Sequence, residues 1–518
     1  MSAKIKDMTN GRPLPLIISF ALPLMVGNIF QQLYTVVDTM VVGKALGVDA
    51  LAALGATDWL YWMLLGMIQG VTQGFGILMA REFGAKQFES LRSVVGGSVT
   101  LSALSAVLFL IVGLVLAEPL LHMLNTPAEI MPLSLLYLRI MFLGIPIVMA
   151  YNLLATVLRS LGDGQTPLYA MIVAALSNIV LDLLFVLVFH WGVAGAAVAT
   201  VIAQGISSVY CLIKIKKIDF MTLHKSHFAL KPAMAGRLLG LGAPMAAQNA
   251  IIAIGGMIIQ SVVNGYSVAF IGGFTASNKL YGVLEIAATS YGYAMITYVG
   301  QNLGARKLDR IKTGMGWATT VAVGTSVLIA AVMLLFGRSI IGAFLSGTPE
   351  EVAEATRTGY TYLSIMSICL PILYILHVTR SAVQGLGNTV LPMVSGIAEF
   401  VMRTGGVLIL PVIFGENGLF FAEVLAWLGA DLIFVPSYFL TFKRISRSSK
   451  PARSLRRDSV YSWIRFVEPS RTTVHRTGTR FVKDNFHLFV KNKRWWMFIT
   501  THQRFKICSS VCTCISTC

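Results

Sequence analysis

Charge is what this sequence has least of. Only 12% of its 518 residues are Asp, Glu, Lys or Arg, against roughly 25% in a soluble globular chain. So few polar groups cannot cover a water-facing surface at this length. With 56% hydrophobic residues and a mean hydropathy of +0.73, the solvent for most of the chain is lipid. Cysteine is sparse as well. Cys211 and Cys369 lie alone in or beside apolar stretches, and Cys508, Cys512, Cys514 and Cys518 crowd the end without the spacing of a disulfide framework or a zinc site. His122, His190 and His377 stand isolated, and no glycine-rich phosphate loop follows a strand. These gaps exclude an enzyme, a bound cofactor and ATP-driven chemistry. No cleavable signal peptide is expected either. The first apolar run, Leu14 to Val37, exceeds a signal h-region of about 7–15 residues, and no small-residue cleavage site follows it.

What is present is a series of apolar stretches with short polar breaks. They predict an all-α membrane protein of about twelve transmembrane helices, the first near 14–37 and the last near 418–441. Basic residues are retained on the cytoplasmic side of a membrane. Alternate loops hold Arg81, Lys86, Arg92, Arg159, Lys214–Arg237, Arg306–Lys312 and Arg380, whereas the opposite loops hold only Lys44, Arg338 and Arg357. Both termini are therefore expected in the cytoplasm, with the plasma membrane as the location.

The division expected is an N-terminal six-helix lobe over 1–217, a linker over 218–236, a second six-helix lobe over 237–442 and a basic tail over 443–518. The tail carries 17 Lys and Arg against 3 acidic residues, which is +14 of the net +18. It reads as an unfolded extension. Its charge and its Trp495–Trp496 pair suit anionic membrane lipids, and no nucleic-acid-binding motif accompanies them.

The two lobes are read from an internal repeat at roughly 220–225 residues. Ala21-Leu22-Pro23 is matched by Gly242-Ala243-Pro244, and Phe83-Gly84-Ala85-Lys86 by Leu303-Gly304-Ala305-Arg306. Tyr137-Leu138-Arg139-Ile140 is matched by Tyr362-Leu363-Ser364-Ile365, and Ser160-Leu161-Gly162-Asp163 by Gly385-Leu386-Gly387-Asn388. Six helices per half make the repeat parallel about an axis along the membrane normal. Such halves rock about a site near the midplane, which is a transporter's architecture.

Ionisable groups inside a membrane are costly and are functional candidates by default. Gln31, Tyr34 and Asp38 share one face of the first span, and Asn178 and Asp182 share one face of the fifth. Thr200 of the sixth span adds a hydroxyl. Two carboxylates, an amide and a hydroxyl form a hard oxygen set for a small cation such as sodium. The same pair of carboxylates can carry a proton, and the residues do not choose between the two. Pro23 removes a backbone hydrogen bond inside the first span and permits a kink that moves Asp38. The second half lacks this set, since the repeat puts Val407 opposite Asp182. Its polar groups are Glu285, placed to attract a cationic substrate, and Glu399 with Arg403, spaced to neutralise each other at i, i+4.

Several motifs resemble the multidrug and toxin extrusion (MATE) family, in particular multidrug exporters of Gram-positive bacteria. They are Val37-Asp38-Thr39-Met40-Val41-Val42-Gly43, Ala50-Leu51-Ala52-Ala53-Leu54-Gly55, Tyr298-Val299-Gly300-Gln301-Asn302-Leu303-Gly304-Ala305 and Leu386-Gly387-Asn388-Thr389. The resemblance covers about residues 10–445. It implies two six-helix lobes forming a V and export driven by inward sodium or proton flow. It also implies a cation site at Asp38, Asn178, Asp182 and Thr200, with Gln31, Tyr34, Asn152 and Met171 at substrate-lining positions. The seventh span lacks the Glu, and the tenth the Asp, that many relatives carry. The expectation is a monomeric secondary transporter exporting amphipathic organic cations. The rival is a flippase for lipid or lipid-linked oligosaccharide, which calls for several cavity Arg or Lys where the core offers mainly Arg139 and Arg403.

Overall fold

The structure, a computed structural model, describes residues 5–345 and 348–449. Residues 443–449 of the expected tail belong to the last helix, and the rest of it, with its four clustered cysteines, lies outside the described residues. Every described element is helical. Lipid offers no partner to a backbone N–H or C=O, so each spanning segment closes its own hydrogen bonds as a helix. The first lobe comprises α1 (Pro13–Leu46), α2 (Val48–Gly84), α3 (Phe88–Met123), α4 (Met131–Leu143), α5 (Ile145–Ser160), α6 (Gln165–Asp182) and α7 (Val193–Lys216). The second comprises α8 (Pro232–Val263), α9 (Val268–Gly304), α10 (Leu308–Phe344), α11 (Pro349–Gly385), α12 (Val390–Phe414) and α13 (Phe421–Ser449).

The count of about twelve spans follows. Among the described residues, ten helices are long and apolar enough to cross a membrane, and α4 with α5 makes an eleventh, bent by 47°. The bend has a cause: Pro146 has no N–H to give the carbonyl of Phe142, four residues back. The twelfth, α9, matches α2 at 37 residues but carries Lys279 and Glu285 among its apolar residues. Three expectations are corrected. The first span runs on to Leu46, so Asp38 lies two turns inside a helix and not at its end. Helix α8 begins within the expected linker, at Pro232 in its first turn, where a proline's missing N–H costs nothing. Arg380, grouped above with the cytoplasmic loops, lies inside α11 and is mostly buried.

Lipid-facing surfaces are apolar, as at Val412 (85% exposed) and Leu335 (76%). With lipid outside, apolarity does not hold helices together, and close backbone packing through small residues does. Gly66, Gly70 and Gly74, four apart on α2, lie against Asn249, Ala246 and Gly242 of α8. A Cβ at Gly70 would sit 2.5 Å from the Ala246 nitrogen, and one at Gly74 2.4 Å from the Gly242 Cα. Asn249 ties the seam by donating to the Gly66 carbonyl at 2.7 Å.

The repeated Gly84 and Gly304 mark where the C-terminal ends of α2 and α9 cross. A Cβ at Gly84 would lie 1.9 Å from the Gln301 carbonyl oxygen, and one at Gly304 1.9 Å from that of Arg81. The contact is reciprocal, because one 220-residue offset relates Arg81 to Gln301 and Gly84 to Gly304. Lys86 and Arg306, two residues on, both take the left-handed conformation at φ 57° and 58°.

Two segments outside the long helices clasp this end of the bundle. Residues 5–11 lie on the second lobe: the Met8 N–H donates to Gln301 Oε1 at 2.9 Å, Asn302 and Arg310 donate to the Met8 carbonyl, and Lys307 donates to that of Thr9 at 2.8 Å. The connection between the lobes lies on the first: Arg92 donates to the Phe220 carbonyl, Thr100 to that of Phe228, and His227 pairs with Glu89 at 2.9 Å.

Candidate functional site

Helix α1 lies along α6. Gly27 of α1 accepts the Leu168 backbone and the Met171 sulfur of α6, the latter 3.0 Å from where a Cβ would stand. Two to three turns further on, this contact carries the Tyr34–Asp38 face of α1 to the Asn178–Asp182 face of α6. Asp38, Asn178, Asp182 and Thr200 are all buried, Asp182 completely (0% exposed). Asp38 and Asp182 are electrostatic neighbours, and Asn178 meets Thr200. Asn178 Nδ2 donates to Thr200 Oγ1 at 3.3 Å, which spends the amide's donor and leaves its oxygen free. The carboxylates of Asp38 and Asp182 lie within electrostatic reach of each other.

Asp38 Oδ1, Asn178 Oδ1 and both oxygens of Asp182 have no hydrogen-bond donor from the protein. Four orphaned acceptors on two carboxylates and an amide, in apolar surroundings, are expensive. Two carboxylates side by side cannot both stay ionised and bare. The arrangement calls for a positive charge, a proton or a small hard cation, and the donor set fits either. Just past Asp182 the helix widens into a π-helical turn over Leu183–Val188, an irregularity often found at functional sites.

The other predicted residues divide. Tyr34 stands within reach of the charges of Asp38 and Asp182, and Gln31 reaches its hydroxyl. Asn152 is buried and turns its amide into its own helix, donating to the Val148 carbonyl at 2.9 Å. Pro23 sits inside an unbroken α1. Glu285 belongs to the second lobe, where His377 Nε2 lies 3.4 Å from its carboxylate, so that histidine is not isolated. Arg139, the other basic residue read inside the first lobe, meets Glu118 at 3.5 Å in an exposed pair.

The expected Glu399–Arg403 neutralisation is not what forms. Glu399 pairs with Arg380 of α11, and Arg403 with Glu423 of α13. Sequence spacing exposes only partners on the same helix, and the acid and the base each found a better one across helices. Asp58 of α2 was also missed, although it lies within electrostatic reach of Asp38 and of Lys279 on α9. So was Asp431 of α13, near Arg380 and Glu399. The rule that found Asp38, an ionisable residue inside an apolar run, would have found them.

With the geometry in place, comparison with known proteins is informative. A family model described as MatE matches the chain twice, over residues 23–184 and 244–406, one match within each lobe. The probable multidrug resistance protein YpnP of Bacillus subtilis is 30% identical over 417 residues, 80% of this chain and 92% of that protein. The multidrug export protein MepA of Staphylococcus saprophyticus is 24% identical over 416 residues, 79% of this chain and 88% of that one. A crystal structure of a MATE protein in complex with MaL6 superposes with a TM-score of 0.80 at 21% identity, covering 86% of this chain and all of that one. At that identity the likeness speaks for the fold, two six-helix lobes in a V, and not for substrates.

Proposed function

Because the chain belongs to the MatE family, we propose that it is a secondary active multidrug exporter that expels amphipathic organic cations in exchange for an inward-moving cation, sodium or proton, bound by Asp38, Asn178, Asp182 and Thr200. One observation carries this reading: the four buried acceptor oxygens at Asp38, Asn178 and Asp182 that no protein donor reaches.

The first lobe then works as a switch. A cation between Asp38 and Asp182 draws the α1 and α6 carboxylates together, and the pull on α1 is taken up near Pro23, where a backbone hydrogen bond is missing. Gln31 and Tyr34 share the Asp38 face, and Met171 packs on Gly27, so a shift of α1 reshapes the surface they offer to substrate; Asn152 of α5 is a further substrate-lining position. Glu285 of α9 supplies a carboxylate attractive to a cationic drug.

The flippase reading needs free cations for a phosphate-bearing headgroup. It is weakened by the pairing of Arg380 with Glu399 and of Arg403 with Glu423. The lobes are taken as 1–217 and 237–442 joined by 218–236, with both termini on the cytoplasmic side of the plasma membrane. The basic tail from 443 meets anionic lipid, and the transporter acts as a monomer.

Ethidium efflux from cells expressing the chain, with sodium and proton gradients imposed separately, tests the proposal. Efflux that follows one gradient and is lost in Asp38→Asn and Asp182→Asn supports it and names the ion. Efflux unchanged in both variants at equal expression refutes the site. Absence of efflux for several cationic dyes, despite membrane insertion, refutes the substrate class.

A further inference from the structure

The second lobe contains a counterpart of the first-lobe site, and its residues have changed together. The 225-residue offset that takes Pro167 to Pro392 takes Asn178 to Arg403 and Asp182 to Val407. A 223-residue offset takes Gly192 to Gly415, both with positive φ (62° and 68°), and takes Thr200 to Glu423. The 221-residue offset from Pro23 to Pro244 takes Tyr34 to Gly255 and Asp38 to Ile259.

The packing agrees with these equivalences. Where Asn178 of α6 bonds Thr200 of α7, Arg403 of α12 bonds Glu423 of α13. Where α1 presents the Tyr34 ring, α8 presents Gly255, and the Arg403 guanidinium fills the vacated space. Arg403 Nη1 lies 3.0 Å from where a Cβ at Gly255 would stand. Arg403 is buried, and that same Nη1 has no acceptor. It stands where the first lobe, on the reading above, takes its cation from solution.

We propose that Arg403 is a tethered cation resident in the second lobe's copy of the coupling site. That lobe is permanently in the ion-occupied state, and one exchanged cation per cycle, in the first lobe alone, drives transport. The inference rests on the first-lobe site being the coupling site. The other charges that face this region are Glu423 and Asp431 from α13, Glu399 from α12, Arg380 with His377 from α11, and Glu285 from α9, and of these acids Asp431 keeps a buried oxygen without a donor. Removing the guanidinium leaves Glu423 buried without a partner, and the pocket must then take a cation or a proton from solution, as the first lobe does.

The test uses the full chain in detergent, in an Asp38→Asn/Asp182→Asn background that silences the first lobe. The transition temperature is followed in sodium against choline chloride and at two pH values. With Arg403 in place, Glu423→Gln changes the transition by the same amount in every condition. With Arg403→Gln, sodium or added protons raise the transition by roughly 3 °C or more, and Arg403→Gln/Glu423→Gln abolishes that gain. A folded Arg403→Gln variant no more ion-sensitive than its parent overturns the proposal. So does a parent whose ion response disappears on Glu423→Gln. Should Arg403→Gln not fold, the unmodified chain still decides: a Hill coefficient of one for the coupling ion in ethidium efflux supports the proposal, and a value near two overturns it. If efflux instead ignores Asp38→Asn, the coupling-site reading has failed, whatever the melting experiments give.

Discussion

The two lobes share a helix plan and a reciprocal crossing, yet they treat buried charge in opposite ways. The first lobe leaves Asp38 and Asp182 without any donor from the protein, whereas the second matches Glu399 and Glu423 with Arg380 and Arg403. The irregularities are divided as well. The fourth span breaks at Pro146 and the fifth passes into a π turn after Asp182, but α11, with Pro371 at the matching position, is continuous. Backbone irregularity, which makes movement cheaper, gathers in the lobe with the unpaired carboxylates.

Mutations can break this contrast, and the largest effect is expected on transport. Asp182→Asn removes a charged ligand, worth about 3 kcal/mol or about 100-fold in apparent ion affinity. Ion titrations of ethidium efflux should show it, and an unshifted half-saturation would place the ion elsewhere. Next comes stability. Glu423→Ala takes the hydrogen-bonded partner from the buried Arg403 guanidinium and leaves it only the charge of Glu399, at a cost of about 3–5 kcal/mol. Thr200→Ala, its counterpart, loses one neutral hydrogen bond worth about 1 kcal/mol. Thermal unfolding of the two variants side by side should rank them in that order, and equal losses would erase the difference between the lobes.

The seam between the lobes gives a smaller effect. Gly74→Val drives a side chain into the Gly242 backbone and should cost about 1–3 kcal/mol. Gly240→Ala on α8, where a Cβ meets open space, should stay within about 0.5 kcal/mol. Smallest is the N-terminal clasp. Burial alone would raise the Asp7 carboxyl, but hydrogen bonds from Thr9, with Lys86 and Lys307 nearby, hold it below the usual carboxylate range. A depressed carboxyl contributes stability that is complete at neutral pH and lost as pH falls through its folded value, on the acid side of 3.8. Protease cleavage within residues 5–11 should therefore rise only in acid, and in Asp7→Asn it should rise at neutral pH. Asp7 is largely solvated, so the change should amount to less than about 1 kcal/mol.

Much of this was legible before any coordinates, and the reason differs from residue to residue. Gly84 and Gly304 showed in the repeat because two backbones touch there and no other residue fits. Asp38 and Asp182 showed because a carboxylate in an apolar run is conspicuous. The i, i+4 rule misassigned Glu399 and Arg403 because it sees one helix at a time, and Glu423 lies on a different element. Asp58 and Lys279 are conspicuous by the same rule, but that they face each other is visible only where α2 meets α9. Arg380 was read as a loop residue because its charge counted toward orientation before its partner Glu399 was known.

The crossing at Gly84 and Gly304 has one more consequence. Arg81 meets Gly304 as Gln301 meets Gly84, which is an isologous contact of the kind that joins identical subunits across a two-fold axis. It is what two copies of an ancestral six-helix protein would have formed on meeting in parallel in a bilayer, before fusion placed them on one chain. If the covalent link is a later addition, cutting it should be tolerated. Coexpressed fragments divided between Met221 and Lys225 should reassemble, because the contacts that join the halves run through their helices and owe nothing to the segment that ties them.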